Sequence, residues 1–190
     1  MQRTNIFNTP IWHISAEKGD LPKIEELRQW ALKLEKTDKG ETKSNRKNTF
    51  HSVVSLDFSD MPHYNLLKKK LEFLHPFDFN GWWINVQHKE DYNIAHVHPL
   101  SDLSYIWYLT DNYNSLTFNQ ISYEMTRSRL YEAFKKVNPI DEFNPFLLNW
   151  KWKCDVGDLL VFPADTLHWT EPHIKRERRI SIAGNLTMKI

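Results

Sequence analysis

The chain has 190 residues, room for one domain with one proper core. Lys and Arg total 25 against 24 Asp and Glu, a balance that argues against a nucleic-acid partner, which wants a strong basic excess. Nine His stand against a single Cys, so a disulfide framework and a Cys-based zinc or iron–sulfur site are excluded and His is the most available metal-binding side chain.

The opening stretch, Met1 to Trp12, has no apolar signal region and no small-residue cleavage site. No apolar run approaches the roughly 18 residues of a membrane span. A soluble protein of a reducing, cytoplasmic compartment is expected, with no membrane partner. The first helix is expected over Leu21 to Lys36, where Ile24, Leu27, Ala31 and Leu34 recur at helical spacing. Asp20 is placed to cap it and Pro22 suits its first turn. Lys36 to Asn48 is polar and reads as a solvated loop, with a basic contact at Lys36–Lys47 as the lesser reading. A strand follows at Ser52–Phe58. A second helix runs Met61 to Leu74 on a stripe of Tyr64, Leu67, Leu71 and Leu74, ended by His75-Pro76.

Strands are then expected at Trp82–His88 and Leu103–Leu109. Tyr113–Pro145 is too long for a simple strand connection and reads as a lid or substrate wall. It carries a third, less regular helix over Ser122 to Val137. The last strands are Leu147–Cys154, Asp158–Phe162 and Arg179–Leu186. In the first of these, Trp150 and Trp152 alternate with Lys151 and Lys153, the period of a half-buried strand. Early helices followed by many strands point to a single α+β domain over 1–190, helices packed on a β-sandwich or barrel.

Three constellations carry chemistry. In His96-Val97-His98-Pro99, residues two apart on an extended segment face the same way, so both imidazoles would enter one cavity as half of a metal site. The competing reading is a pair of structural His near a turn. Next come Gly157-Asp158-Leu159-Leu160-Val161-Phe162-Pro163 and then His168, which alone would read as structural. Finally, Arg179 and Ser181 share one strand face, alternating with Ile180 and Ile182, while Arg178 faces the other way. A buried guanidinium is costly unless an anion meets it, and with a hydroxyl it makes a clamp for a ligand carboxylate. The competing reading is a structural ion pair. Together, H-x-H, a long gap, His, ten intervening residues and R-x-S give the sequence order of a non-haem Fe(II), 2-oxoglutarate-dependent oxygenase on a double-stranded β-helix.

The chain also resembles the 2OG-Fe(II) oxygenase family of bacteria and phages. The matching pieces are Ile6-Phe7-Asn8-Thr9-Pro10-Ile11-Trp12, Trp83-Ile84-Asn85 and His96-Val97-His98-Pro99-Leu100-Ser101 running into Leu103-Ser104. They continue with Tyr108-Leu109, Gly157 to Pro163 with His168, and Arg179-Ile180-Ser181-Ile182-Ala183 with Asn185. Matches are dense over 82–109 and 157–185. The resemblance implies a jelly-roll or cupin-like barrel with two to three flanking helices. It implies His96, His98 and His168 as iron ligands, and Arg179, assisted by Ser181, on the distal carboxylate of 2-oxoglutarate.

The resemblance further implies an Fe(II)- and 2-oxoglutarate-dependent dioxygenase that hydroxylates an amino-acid residue or a small metabolite. Asn85 and Tyr105 are candidate polar contacts to co-substrate or substrate. Trp83, Trp107 and Trp169 are candidate walls against water, although core packing is the commoner reading of each taken alone. Two departures stand out. Tyr105 replaces the Gly that usually follows the strand's Ser, and Gly184-Asn185 replaces an aromatic-Asn pair. The third ligand stays open between His98 and a carboxylate, with Asp102 ahead of Asp165, because the common triad is two His and one carboxylate. The remaining His (His13, His51, His63, His75, His88, His173) read as structural or solvated. Two other functions stay open: a three-His cupin without 2-oxoglutarate, which has no use for Arg179 and Ser181, and a non-catalytic β-sandwich binding module.

Overall fold

A computed structural model describes residues 2–6, 9–41, 46–47, 49–119 and 149–189. Among the described residues twelve strands form two antiparallel sheets, with two α-helices on one side. The large sheet takes β1 (Gln2–Ile6), β2 (Thr9–Ile14), β4 (Phe50–His51), β5 (Phe77–Gln87), β7 (Leu103–Tyr108), β10 (Leu159–Pro163) and β12 (Arg179–Met188), in the order β1-β2-β10-β7-β12-β5-β4. The small sheet takes β3 (Arg46–Lys47), β6 (Tyr92–His96), β8 (Leu116–Asn119), β9 (Asn149–Trp152) and β11 (Leu167–Thr170), in the order β3-β6-β11-β8-β9. This is the jelly roll implied by the motif order.

The two faces of the large sheet follow from alternation along its central strands. Ile180 and Ile182 of β12, Ile84 and Val86 of β5, and Trp107 of β7 pack into the core beneath the helices. The residues between them face the small sheet. In-register pairs fix the rows: Arg179 beside Gln87, Ser181 beside both Asn85 and Tyr108, Ala183 beside Trp83 and Ile106. A cavity therefore opens between the sheets, floored by alternate residues of β12, β5 and β7.

Helix α1 (Leu21–Thr37) buries Ile24, Leu27 and Ala31 as its periodicity predicts. Asp20 occupies the cap position but makes no side-chain cap bond. Its carboxylate instead pairs with Lys70 at 2.7 Å, on the second helix, and accepts the Glu17 N–H at 3.3 Å. Helix α2 (Tyr64–Leu71) begins three residues later than expected, because His63 takes a left-handed conformation with φ 56°. A short 3-10 turn, Glu72–Leu74, completes it.

The expected strand Ser52–Phe58 does not form as one. The ladder ends at His51, the Ser52 hydroxyl accepts the Ile84 N–H at 2.9 Å, and pairing returns only as an isolated bridge between Ser55 and Trp82. Part of the basic loop is also corrected, since Arg46 and Lys47 pair with Asn93 and Tyr92. The helix over Ser122 to Val137, and most of the lid segment Tyr113–Pro145, lie outside the described residues. Among the described residues no helix is long and apolar enough to cross a membrane.

Candidate metal centre and anion pocket

His96 ends β6 and His168 lies opposite it on β11 as its register partner. His98 follows two residues after His96, on the run whose N–H bonds back to the Ala164 carbonyl at 2.8 Å. One donor nitrogen from each of His96, His98 and His168 comes within 4.8 Å of the others. The rings are 4.4 Å apart for His96 and His168, and 5.1 Å for each of the other two pairs.

His96 and His168 are oriented by the backbone. Nδ1 of His96 lies 2.7 Å from the Ile94 carbonyl, and Nδ1 of His168 lies 2.8 Å from that of Thr166. Each therefore donates through Nδ1 and turns Nε2 to the cluster, the arrangement that fixes metal-ligating His. Burial, with His96 and His98 beside it, pushes the pKa of His168 well below the usual imidazole range. Its lone pair is thus available at neutral pH. Phe162 presses on His168 with ring centres 4.8 Å apart.

The carboxylates weighed as the third ligand do not reach this cluster. Asp102 is exposed and takes the Met188 N–H at 2.7 Å, at the end of β12 away from Arg179. Asp165 is also exposed and stands outside the trio.

Arg179 sits in the same cavity, 2 % exposed. Nε donates to Gln87 Oε1 at 2.7 Å and Nη2 to the Glu171 carbonyl at 3.1 Å. The amide of Gln87 is held for this by Thr170, whose hydroxyl takes Nε2 at 3.2 Å. Nη1 is buried without a hydrogen-bond partner, and no carboxylate pairs with Arg179 among the described residues. Burial lowers its pKa to about 10, so it is a cation at neutral pH. Its neighbour Arg178 faces outward to Glu35 at 3.1 Å, as the strand alternation predicts.

The cavity encloses about 320 Å³ and also reaches Ser181, Asn85 and Trp169. The Asn85 Oδ1 is buried without a partner. Tyr105 borders the cavity, but it lies on the opposite strand face from Ser104 and Ile106, and its ring belongs to the helix-side core. The ring is thus directed away from the row that carries Ser181 and Asn85. Trp107 takes the core-packing reading: it is fully buried under the helices, with Nε1 donating to the Gly157 carbonyl at 3.1 Å.

Gln87, Tyr108 and His51 are among the cavity residues missed from the sequence. Gln87 lies two residues beyond Asn85, so period-two alternation could have found it. Tyr108 shares its row with Ser181, which only register reveals. His51, read as structural or solvated, lines the cavity and stacks on Trp83.

A second trio, His13, Cys154 and Asp158, also brings donor atoms within 4.8 Å of one another. Here the carboxylate is already engaged. Oδ1 accepts the Ala16 N–H at 3.1 Å, while Oδ2 meets His13 Nε2 at 2.8 Å and the Asp155 N–H at 2.9 Å. Asp158 thus staples β2 to the turn before β10.

A family model described as "Putative 2OG-Fe(II) oxygenase" matches residues 81–185. No curated protein matches the chain. Among solved structures, the non-heme alpha ketoglutarate dependent epimerase SnoN from nogalamycin biosynthesis superposes with a TM-score of 0.65 at 13% identity, covering 94% of this chain and 78% of SnoN. HygX from Streptomyces hygroscopicus, solved with nickel and 2-oxoglutarate bound, gives 0.61 at 14% identity over 96% of this chain and 84% of HygX. A Pseudomonas putida prolyl-4-hydroxylase gives 0.59 at 12% identity over 95% of this chain and 93% of the hydroxylase.

Proposed function

The chain belongs to the 2OG-Fe(II) oxygenase family, and on that premise we propose that His96, His98 and His168 hold its iron while Arg179 and Ser181 hold 2-oxoglutarate. Enzymes of this family use Fe(II) and 2-oxoglutarate. When bound, the two would activate dioxygen, one oxygen atom going into succinate as the 2-oxo acid loses carbon dioxide and the other into the hydroxylated product.

The residues fit both groups. Three neutral imidazole nitrogens are a good donor set for Fe(II). The one observation that carries the 2-oxoglutarate assignment is Arg179: a buried cation, two donors anchored, its Nη1 unpartnered in the same cavity as the imidazoles. Leaving a charge in that state costs several kcal/mol by order of magnitude, unless an anion meets it. A dicarboxylate meets that need at one end and faces the His trio with the other. A three-His cupin without 2-oxoglutarate has no use for this cation, so the anion pocket disfavours that reading.

The other cavity residues divide the remaining work. Gln87 aims the guanidinium. Phe162 backs His168 and, with Trp169, excludes water from that wall. The amide of Asn85 contacts co-substrate through its N–H or substrate through its unpartnered oxygen. The reaction is hydroxylation of a small molecule or of an amino-acid residue in a peptide. Support for both substrate classes comes from neighbours of this fold, one solved with hygromycin B bound and another with a peptide fragment.

The test is succinate formation from 2-oxoglutarate with Fe(II) and dioxygen, without added substrate. Slow uncoupled turnover in the wild type, lost in Arg179→Ala and in His168→Ala, is the expected result. Equal turnover in all three proteins would remove the assignment.

A further inference from the structure

His98 differs from the other two imidazoles in how it is flanked. Its ring lies face to face with Trp83, centres 5.5 Å apart and planes 21° apart. Its Nε2 lies 3.3 Å from Nε2 of His168, whose ring is near-parallel at 12° with its centre 5.1 Å away, so these two meet at their nitrogen edges. Trp83 in turn stacks on His51 at 5.5 Å and 23°. Near-parallel rings thus run His51–Trp83–His98–His168 along the cavity, the first three by stacking and the last pair by their converging nitrogens.

Both ends of this run are pinned. His51 is buried with Nδ1 2.6 Å from the Ser52 carbonyl. His168 is tied to the Thr166 carbonyl. Trp83 is 8 % exposed and rises from β5 in the row of Ala183 and Ile106, a small side chain beside it leaving room for the indole. Stacking on Trp83 sets the plane of the His98 ring, and within that plane its Nε2 meets Nε2 of His168.

We infer that Trp83 is a positioning residue for the third metal ligand: its indole face holds the His98 imidazole in the orientation that presents nitrogen to the metal. This rests on the three-His reading and adds a reason for it. A carboxylate ligand is held by hydrogen bonds and offers no ring to stack, whereas an imidazole does. The His at position 98 and the Trp at position 83 are thus two parts of one device, with His51 as its backing.

The stack is worth about as much as an aromatic pair, which sets a loss of roughly tenfold in metal affinity when the face is removed. The experiment is Ni(II) titration without 2-oxoglutarate, followed calorimetrically, on a double-mutant cycle. Trp83→Leu is expected to weaken Ni(II) roughly tenfold, and Trp83→Phe to recover most of the loss. In a His98→Asp background the same Trp83→Leu change is expected to cost about twofold or less, because no ring remains to be oriented.

Equal losses in both backgrounds would show a general structural effect and overturn the inference, as would unchanged affinity in Trp83→Leu. Should His98→Asp hold no Ni(II), recovery by Trp83→Phe decides: recovery supports the inference, and a Phe variant as weak as Leu overturns it. A wild type that holds no Ni(II), or a His98→Ala protein that holds it unchanged, removes the three-His reading and this inference with it.

Discussion

Tyr105 and Gly184 are register partners on neighbouring strands, and a Cβ added to Gly184 would lie 2.4 Å from the Tyr105 hydroxyl oxygen. The two departures from the family pattern therefore meet at one point: a large ring where Gly is usual faces Gly where an aromatic is usual. The Gly81 carbonyl, 2.5 Å from the same Cβ position, closes the space further. Gly184→Ala is expected to destabilise the fold by about 1–3 kcal/mol through overpacking, read from urea unfolding. The Tyr105 hydroxyl has no partner among the described residues, so Tyr105→Phe is expected to be neutral or stabilising, within about 1 kcal/mol. It should also leave 2-oxoglutarate affinity unchanged, since the ring lies in the helix-side core; a large loss of affinity would return the phenol to the cavity.

Arg179→Met separates a ligand-binding cation from a structural one. Relief of a desolvated charge offsets the loss of its bonds to Gln87 and the Glu171 carbonyl, so the ligand-free protein is expected to lose no more than about 2 kcal/mol. The same change should abolish the thermal shift given by 2-oxoglutarate while Ni(II) still binds. A loss of more than about 2 kcal/mol without ligand, the scale of a broken hydrogen-bonded charge, would mark Arg179 as a structural element instead.

Asp102→Asn is expected to leave metal stoichiometry at the wild-type value and to cost about 1 kcal/mol or less, for one weakened bond to the Met188 N–H. His168→Ala is expected to abolish metal binding. Iron analysis of the purified variants checks both, and loss of iron in Asp102→Asn would reinstate the carboxylate as a ligand.

Acid stability tests the Asp158 staple. Burial alone would raise its pKa, but hydrogen bonds from His13 and from the Asp155 and Ala16 N–H groups hold it below the ordinary value. A carboxyl with a lowered folded-state pKa stabilises the fold fully above its unfolded value of about 3.9, and that contribution is lost as pH falls through the folded value. Asp158→Asn should therefore cost about 1–3 kcal/mol at neutral pH, and its deficit in urea midpoint should shrink from about pH 4 downward. A deficit independent of pH would refute the staple.

The sequence was most informative where one strand alternates between two environments. In β12, Arg179 and Ser181 against Ile180 and Ile182 reported both the cavity and the core before any register was known. The H-x-H spacing did the same for His96 and His98. Parity on β7 was not legible, because nothing in Leu103 to Tyr108 says whether Tyr105 and Trp107 or Ser104 and Ile106 face the cavity; pairing with β12 decides it. Strands β6, β8 and β11 escaped because they are short, of five, four and four residues, and β6 is too exposed to alternate. His51 escaped because its position depends on Trp83, a contact between separate strands that no local pattern encodes.

Anaerobic titration with Fe(II) and 2-oxoglutarate, followed by the weak visible charge-transfer band of the chelate, tests the joint site most directly. A saturable band in the wild type is predicted, absent in His168→Ala and requiring far more 2-oxoglutarate in Arg179→Ala. No band in the wild type, with no thermal stabilisation beyond that from either ligand alone, would contradict it.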